Sequence, residues 1–119
     1  MKSEKTIQDE IRIALSDNGI VFRCNAGEFW QGKVVYSKEF KQNVLINLRR
    51  VQGLPEGFSD LLFVGPDGRV AFVETKTDKG TPTQEQINFL NLMIGRNHRA
   101  GIARCVEDAI KIINGEATL

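Results

Sequence analysis

The feature that most constrains the fold is a pair of short apolar runs separated by a clear turn. The runs Leu61–Val64 and Val70–Thr75 flank Gly65-Pro66-Asp67-Gly68, in which proline occupies its favoured second turn position. This pattern predicts a β-hairpin. Asp60 precedes the first run and Glu74 lies near the end of the second, so antiparallel pairing brings the two carboxylates to the same end of the sheet.

Helical patterns lie on both sides of this hairpin. Residues 4–18 carry apolar side chains at the spacing of one helix face, starting from Ile7. After the hairpin, Thr81 and Pro82 fit the N-cap and first position of a second helix, with Gln84 closing a capping box. That helix is expected to end near residue 95. Its apolar stripe is predicted from Ile87, Leu90 and Ile94, with Met93 adjoining.

The remaining segments add strands and a closing helix. Residues 20–25 and 100–105 have strand composition, residues 33–36 form a further extended piece, and residues 106–114 a last helix. Residues 37–52 fit either a short helix or a loop followed by a strand. The order of elements predicts an α/β fold, with a central mixed sheet flanked by helices in a single domain over residues 1–119.

The total charge of the chain is nearly balanced, but the charged residues are unevenly distributed along the sequence. The net charge is +1, which does not favour a protein that coats nucleic acid by bulk positive charge. Residues 33–50, however, hold five cations against the single acid Glu39: Lys33, Lys38, Lys41, Arg49 and Arg50. By itself such a run indicates a solvated face, and its place just before the paired acids raises the alternative of DNA binding. Phe29 and Trp30 beside it favour core or subunit packing, with base stacking as the alternative.

Two carboxylates and a lysine at one strand end fit a particular chemistry. Hard divalent cations such as Mg²⁺ bind one or two carboxylates and keep several waters, so Asp60 and Glu74, with the Thr75 backbone carbonyl, could form a metal site. Lys76 lies on the same strand face as Glu74, where it could contact a phosphate or orient a water. The simpler alternative for Glu74 and Lys76 is a solvent-facing ion pair.

Three segments resemble a known family: Gly57-Phe58-Ser59-Asp60-Leu61-Leu62, Phe72-Val73-Glu74-Thr75-Lys76 and Lys79-Gly80-Thr81-Pro82-Thr83-Gln84-Glu85-Gln86. Together they resemble the VRR-NUC branch of the PD-(D/E)XK nuclease superfamily, over residues 6–104. The resemblance implies a restriction-endonuclease-like fold, with Asp60 and Glu74 as metal ligands and Lys76 as the catalytic lysine. It also implies that Glu10 is a first-helix acid near the cation and Gln86 a helix glutamine behind the active strand. Ser59 departs from the superfamily pattern, which has proline before the acid.

The resemblance implies a Mg²⁺- or Mn²⁺-dependent DNA endonuclease without an organic cofactor. Small stand-alone members of this branch, typical of bacteriophages and bacteria, are linked to cutting four-way (Holliday) junctions as homodimers. The DNA contacts are then expected from the basic run together with Lys79. The alternatives are a flap nuclease, another branched- or duplex-DNA nuclease, or a catalytically silent nuclease-fold module that binds DNA. The first ten residues do not form a signal peptide and no run is long enough to span a bilayer, so we expect a cytoplasmic protein, in the host cytoplasm if phage-encoded.

Overall fold

The computed structural model describes residues 1–116, in which three helices and six strands follow one another in the predicted order. Their bounds are α1 Glu4–Ser16, β1 Ile20–Arg23, β2 Glu28–Ser37, β3 Gln42–Gln52, β4 Leu61–Val64, β5 Val70–Thr75, α2 Gln84–Gly95, β6 Arg99–Ala103 and α3 Val106–Ile113. Four strands form one sheet in the order β1-β4-β5-β6, and helices pack on both of its faces. The prediction of a mixed sheet flanked by helices is therefore confirmed.

The predicted hairpin forms the centre of the sheet. Strands β4 and β5 pair antiparallel with Leu61 opposite Val73, and β5 pairs parallel with β6 on its other side. Because β5 is a central strand with helices on both faces, five of its six residues are buried. This position explains how an acid of β5 can lie inside the protein.

Successive residues of β5 face two separate cores. Val73 packs with residues of α1 and α3, among them Ile11 and Ile112. Phe72 points to the other face, where it packs with Leu90 of α2. Since side chains alternate along a strand, Glu74 shares the α2 face with Phe72, whereas Thr75 points to the α1 side.

Helix α2 begins two residues later than the sequence predicted. Its N-cap is Thr83, whose hydroxyl accepts a hydrogen bond from the backbone N–H of Gln86, while the Gln86 side chain binds the backbone N–H of Thr83. The prediction of a cap at Thr81 was wrong because the segment contains two overlapping matches to the same Thr-x-x-Gln capping pattern. The buried stripe also differs: Leu90 is buried with Phe89 and Met93 beside it, whereas Ile94 is exposed.

Strands β2 and β3 form a second sheet, a long two-stranded hairpin over residues 28–52 that we call the arm. The undecided residues 37–52 thus supply a turn and an 11-residue strand. At the base of the arm, backbone hydrogen bonds join Gly53 to Gly27 and Leu54 to Asn25. The radius of gyration is 16.9 Å, against about 13.5 Å for a compact domain of this length, and the extents are 54 × 30 × 29 Å. The arm therefore projects from the body.

Within residues 1–116, no helix combines the length and apolar character that crossing a membrane requires.

Candidate functional site

Asp60 is held at the end of the β4–β5 hairpin by contacts with two neighbouring segments. Its backbone carbonyl accepts a hydrogen bond from the N–H of Cys24 at 2.8 Å. Its Oδ2 accepts two bonds from Thr75, one from the backbone N–H at 3.0 Å and one from the hydroxyl at 2.6 Å. Among the hydrogen bonds of residues 1–116, none reaches Oδ1. The carboxylate is therefore fixed through one oxygen and open at the other.

Ser59, where the superfamily pattern has proline, is a buried residue of this turn. Its side chain is 1% exposed, and its hydroxyl donates a hydrogen bond to the carbonyl of Leu61 at 3.0 Å. The hydroxyl binds the chain that leads from Asp60 into β4. The serine therefore gives the turn a side-chain bond where a proline would restrict the backbone dihedral.

Glu74 is buried beside Asp60, with one carboxylate oxygen satisfied and one not. Its Oε1 accepts a hydrogen bond from Nε2 of Gln86 at 2.9 Å and lies 3.9 Å from Nζ of Lys76. Its Oε2 has no hydrogen-bond partner, and it is the only such buried side-chain polar atom in the described part of the chain. The Glu74 residue is 1% exposed, so this oxygen is shielded from bulk solvent.

The electrostatics of the pair oppose ionisation of Glu74. Burial raises the pKa of its carboxyl from 4.5 to about 8; the negative charge of Asp60 adds to the rise and the ammonium of Lys76 opposes it. A buried charge without a partner is unfavourable, so a buried carboxyl group retains its proton to a higher pH. The site is therefore arranged so that a bound cation would favour the ionised form.

Gln86 both caps α2 and contacts Glu74. Its Oε1 accepts the N–H of Thr83 and so caps α2, while its Nε2 holds the carboxylate of Glu74. Phe89, one turn later, packs against Phe58 and Phe72 at ring-centroid distances of 4.5 and 5.4 Å. The aromatic contacts and the cap together fix the start of α2 against the strand that carries Glu74.

The residue of α1 that reaches this site is Gln8, which the sequence analysis did not identify. Its Nε2 donates to the hydroxyl of Thr75 at 3.3 Å, and Thr75 in turn binds Asp60. Glu10 instead pairs with Lys2 at 2.9 Å, and no contact among the described residues joins it to Asp60 or Glu74. The structure thus does not bring Glu10 to the paired acids.

The helical wheel contained a signal for this difference. The buried residues of α1 are Ile7, Ile11 and Leu15, whereas Ala14, which fits the same helical spacing, is half-buried. At about 100° per residue, Gln8 lies roughly 60° from the centre of these three and Glu10 roughly 100° from it. Centring the wheel on the three large residues would have favoured Gln8.

Arg104, the residue directly after β6, holds the segment that follows β5. Nη1 of Arg104 donates to the backbone carbonyls of Thr77 at 2.5 Å, Asp78 at 3.3 Å and Gly80 at 2.8 Å. This loop follows Lys76 directly and contains the exposed Lys79. Arg104 thereby fixes the connection between the strand that carries Glu74 and the helix that carries Gln86.

An open cleft of about 740 Å³ lies beside Asp60. Asp60, Gln8 and Gln86 line it on the body, and Phe29 lines it at the base of the arm. All five cations of the basic run lie on the arm or at its tip. The exposed arm and the cleft therefore form one continuous region.

The residues present fit a hard divalent cation. Oδ1 of Asp60 and Oε2 of Glu74 are carboxylate oxygens left without hydrogen bonds by the described residues. No cluster of three or more His, Cys, Asp or Glu side chains occurs in residues 1–116, so the protein offers two acids here. That donor set matches Mg²⁺, which binds few carboxylates and retains waters. Thr75 lies at the end of β5, and the role of its backbone carbonyl as a metal ligand remains a prediction.

Comparison with known proteins identifies the family and the fold. The family model of the VRR-NUC domain matches residues 2–107, a range that includes every residue of the site. A solved structure described as a VRR_NUC domain superposes with a TM-score of 0.55 at 17% identity, covering 96% of this chain and 97% of that chain. No curated protein sequence matches the chain.

Proposed function

The chain belongs to the VRR-NUC family, whose domain is a nuclease domain, and from this premise we propose that it is a Mg²⁺- or Mn²⁺-dependent endonuclease of branched DNA. The observation that carries the proposal is the unpartnered Oε2 of Glu74 beside Asp60 and Lys76. A buried carboxylate oxygen without a donor is unfavourable unless a cation completes it. The preferred substrate is a four-way junction and the acting form a homodimer.

The side chains divide the work of binding and positioning. Asp60 and Glu74 would hold the cation, with the Thr75 carbonyl as a third oxygen. When bound, the cation neutralises charge on the scissile phosphate and makes a coordinated water more acidic. Gln86 holds Glu74 through Oε1 and so leaves Oε2 for binding, while Thr75 does the same for Asp60 through Oδ2.

Lys76 is placed to act on the phosphate side of the site. Its side chain is 12% exposed, and its ammonium lies 3.9 Å from Oε1 of Glu74. In this position it would contact a phosphate oxygen or orient the attacking water. A solvent-facing ion pair, the simpler alternative for these two residues, does not describe them, because Glu74 is buried.

The charge distribution supports DNA as the partner. The arm, residues 28–52, holds five of the 16 lysines and arginines but two of the 15 acids, which leaves 11 cations and 13 acids elsewhere. A polyanion is therefore attracted to the arm rather than to the body. Lys79, exposed on the loop after Lys76, adds a cation next to the paired acids. No base-reading motif stands out, as expected for recognition by shape.

The junction and the homodimer follow from stoichiometry. Resolution of a four-way junction requires paired cuts on two strands, and one site of this kind makes one cut. A two-fold dimer supplies the second site in matching geometry.

The test offers labelled four-way junction, flap, single strand and duplex to the protein with Mg²⁺ or Mn²⁺. We expect the junction to be cut fastest and paired incisions to appear, with Asp60→Asn and Lys76→Ala slower by at least about a hundredfold. Asp67→Asn is the matched control, because Asp67 lies in the exposed turn at the opposite end of the same hairpin.

Each alternative function has its own result. Faster cutting of the flap would replace the junction as substrate, and binding without cutting by the parent protein would identify a silent DNA-binding module. Calorimetry with Mn²⁺ tests the metal site independently of these alternative functions. The parent and Asp67→Asn should bind the ion, and Asp60→Asn should not. Equal, weak heats for the parent and both variants would contradict the proposed metal site.

A further inference from the structure

The two faces of the arm differ in composition. Side chains that share a face alternate along each strand and lie opposite each other across the pair. One face, which we call the apolar face, carries five large apolar side chains that are each 47–61% exposed: Trp30, Val34, Tyr36, Leu45 and Leu48. Leu48 belongs to this set because its Cδ2 lies 3.0 Å from the position of a Cβ at Gly32, between Trp30 and Val34.

Charge on the apolar face is internally neutralised. Its cation is Arg50, which pairs with Glu28 at 3.4 Å and lies over the ring of Trp30 at 5.4 Å. Lys33 and Arg49 belong to the opposite face, and Lys38 and Lys41 lie in the turn at the tip. The arm thus separates an apolar face without net charge from the cations that attract DNA.

We propose that the apolar face is the surface on which a second copy of this chain docks. Two-stranded ribbons are at best marginally stable alone, and no helix or strand of the body packs extensively on this one. The five side chains leave on the order of 500 Å² of apolar surface in solvent, within the range of patches that serve as binding sites. A stable interface needs roughly 800 Å² from each partner, so the patch suffices as its core once main chain and rim are added.

The composition of this face favours a second copy over DNA. DNA affinity depends on cations that neutralise phosphates, and the one cation here is already paired with Glu28. A two-fold contact places identical surfaces together, which requires a face without unbalanced charge. The apolar face meets that requirement, while the opposite face and tip would remain free for DNA. The inference rests on the proposed function for the homodimer itself and adds the surface through which the two copies meet.

Neighbouring residues of β3 give a matched pair of variants. Leu45 lies on the apolar face and Ile46 on the opposite one, at 47% and 40% exposure. We expect the parent to sediment at twice the chain mass at micromolar concentration without DNA or metal. Leu45→Glu places two carboxylates in the interface and should raise the dissociation constant at least about a hundredfold, whereas Ile46→Glu should leave it within about threefold.

Trp30 provides a second measurement in the unmodified protein. It is the only tryptophan of the chain and lies on the apolar face, so its emission should shift to the red as the protein is diluted through the dissociation constant. Leu45→Glu should show the red-shifted spectrum at all concentrations, and its circular dichroism should match that of Ile46→Glu.

Three results would overturn the proposal. One is a parent protein that sediments at the chain mass up to about 100 µM; another is an equal effect of the two substitutions on association. The third is a Leu45→Glu variant that keeps its mass but loses DNA binding, which would assign the face to DNA. Since mass is measured without DNA or metal, a protein that dimerises but cuts nothing would reject the nuclease proposal and leave this one standing.

Discussion

Glu74→Gln should stabilise the metal-free protein at alkaline pH while removing its activity. The carboxyl of Glu74 is buried, lies beside Asp60 and has one oxygen without a partner. An amide has the same shape, keeps its oxygen for Gln86 and cannot ionise. At the position of Oε2 it places an N–H₂ donor instead of an unsatisfied acceptor. The substitution therefore removes the unfavourable charge and with it the ligand.

The magnitude follows from the pKa of Glu74, which is about 8 in the folded protein against an ordinary 4.5. Because the folded-state pKa is raised, the stability linked to the proton is present in full below pH 4.5 and is lost as the pH rises through 8. At 1.36 kcal/mol for each tenfold change, the full loss is about 5 kcal/mol, of which about 3–4 kcal/mol falls between pH 5 and 8. That is a large share of the roughly 5–15 kcal/mol that stabilises a typical domain.

The assay is urea unfolding in EDTA at pH 5, 6, 7 and 8 for the parent and for Glu74→Gln. Other titrating groups are common to both proteins, so the difference in unfolding free energy isolates residue 74. This difference should move by about 3–4 kcal/mol in favour of the variant from pH 5 to pH 8. Glu10→Gln, the same substitution at the surface pair with Lys2, should follow the parent. Parallel curves for the parent and Glu74→Gln would refute the reasoning.

Three further predictions concern Gly57, Arg104 and Glu10. Gly57→Ala should destabilise the fold by about 1–3 kcal/mol in urea unfolding, because φ is +92° and the new Cβ would lie 2.5 Å from the carbonyl oxygen of Glu85; an unchanged midpoint would contradict this. Arg104→Ala should slow cleavage about tenfold through kcat with partial recovery in guanidinium, and a loss confined to KM would argue against a positioning role. Glu10→Gln should cut within about twofold of the parent, and a larger loss in the cleavage assay would return Glu10 to the site.

The central hairpin could be predicted because its signals are local. A turn with proline and glycine in their preferred positions fixes the register of the strands that flank it, and that register fixes which residues meet at the open end. The structure accordingly places Asp60 against Thr75, next to Glu74. What the sequence could not supply was the raised pKa of Glu74, since burial and the neighbouring charge of Asp60 that raise it are tertiary properties.

Helix positions were predicted less well because their signals were degenerate. Two overlapping capping patterns preceded α2, and only the packing of Phe89 and Leu90 on the sheet selects the second. In α1, Gln8 and Glu10 both border the buried stripe, and an acid is the more obvious ligand. The choice of Gln8 depends on which side of the helix the end of β5 reaches, a matter of tertiary packing.

The second strand of the arm was left undecided from the sequence because its pattern changes phase within β3. A strand of strict alternation would place Ile46 and Leu48 on the same face. Between Ile46 and Arg49, however, β3 has a β-bulge, in which Asn47 and Leu48 both lie opposite Gly32 and Asn47 has a φ of +54°. The extra residue turns Leu48 to the face of Leu45. Gly32 is required there, because a Cβ would lie 2.7 Å from the carbonyl oxygen of Ile46. The β-bulge that breaks the alternating pattern of β3 therefore also brings Leu45 and Leu48 onto one apolar face. It moves Arg49 to the opposite face, which carries Lys33.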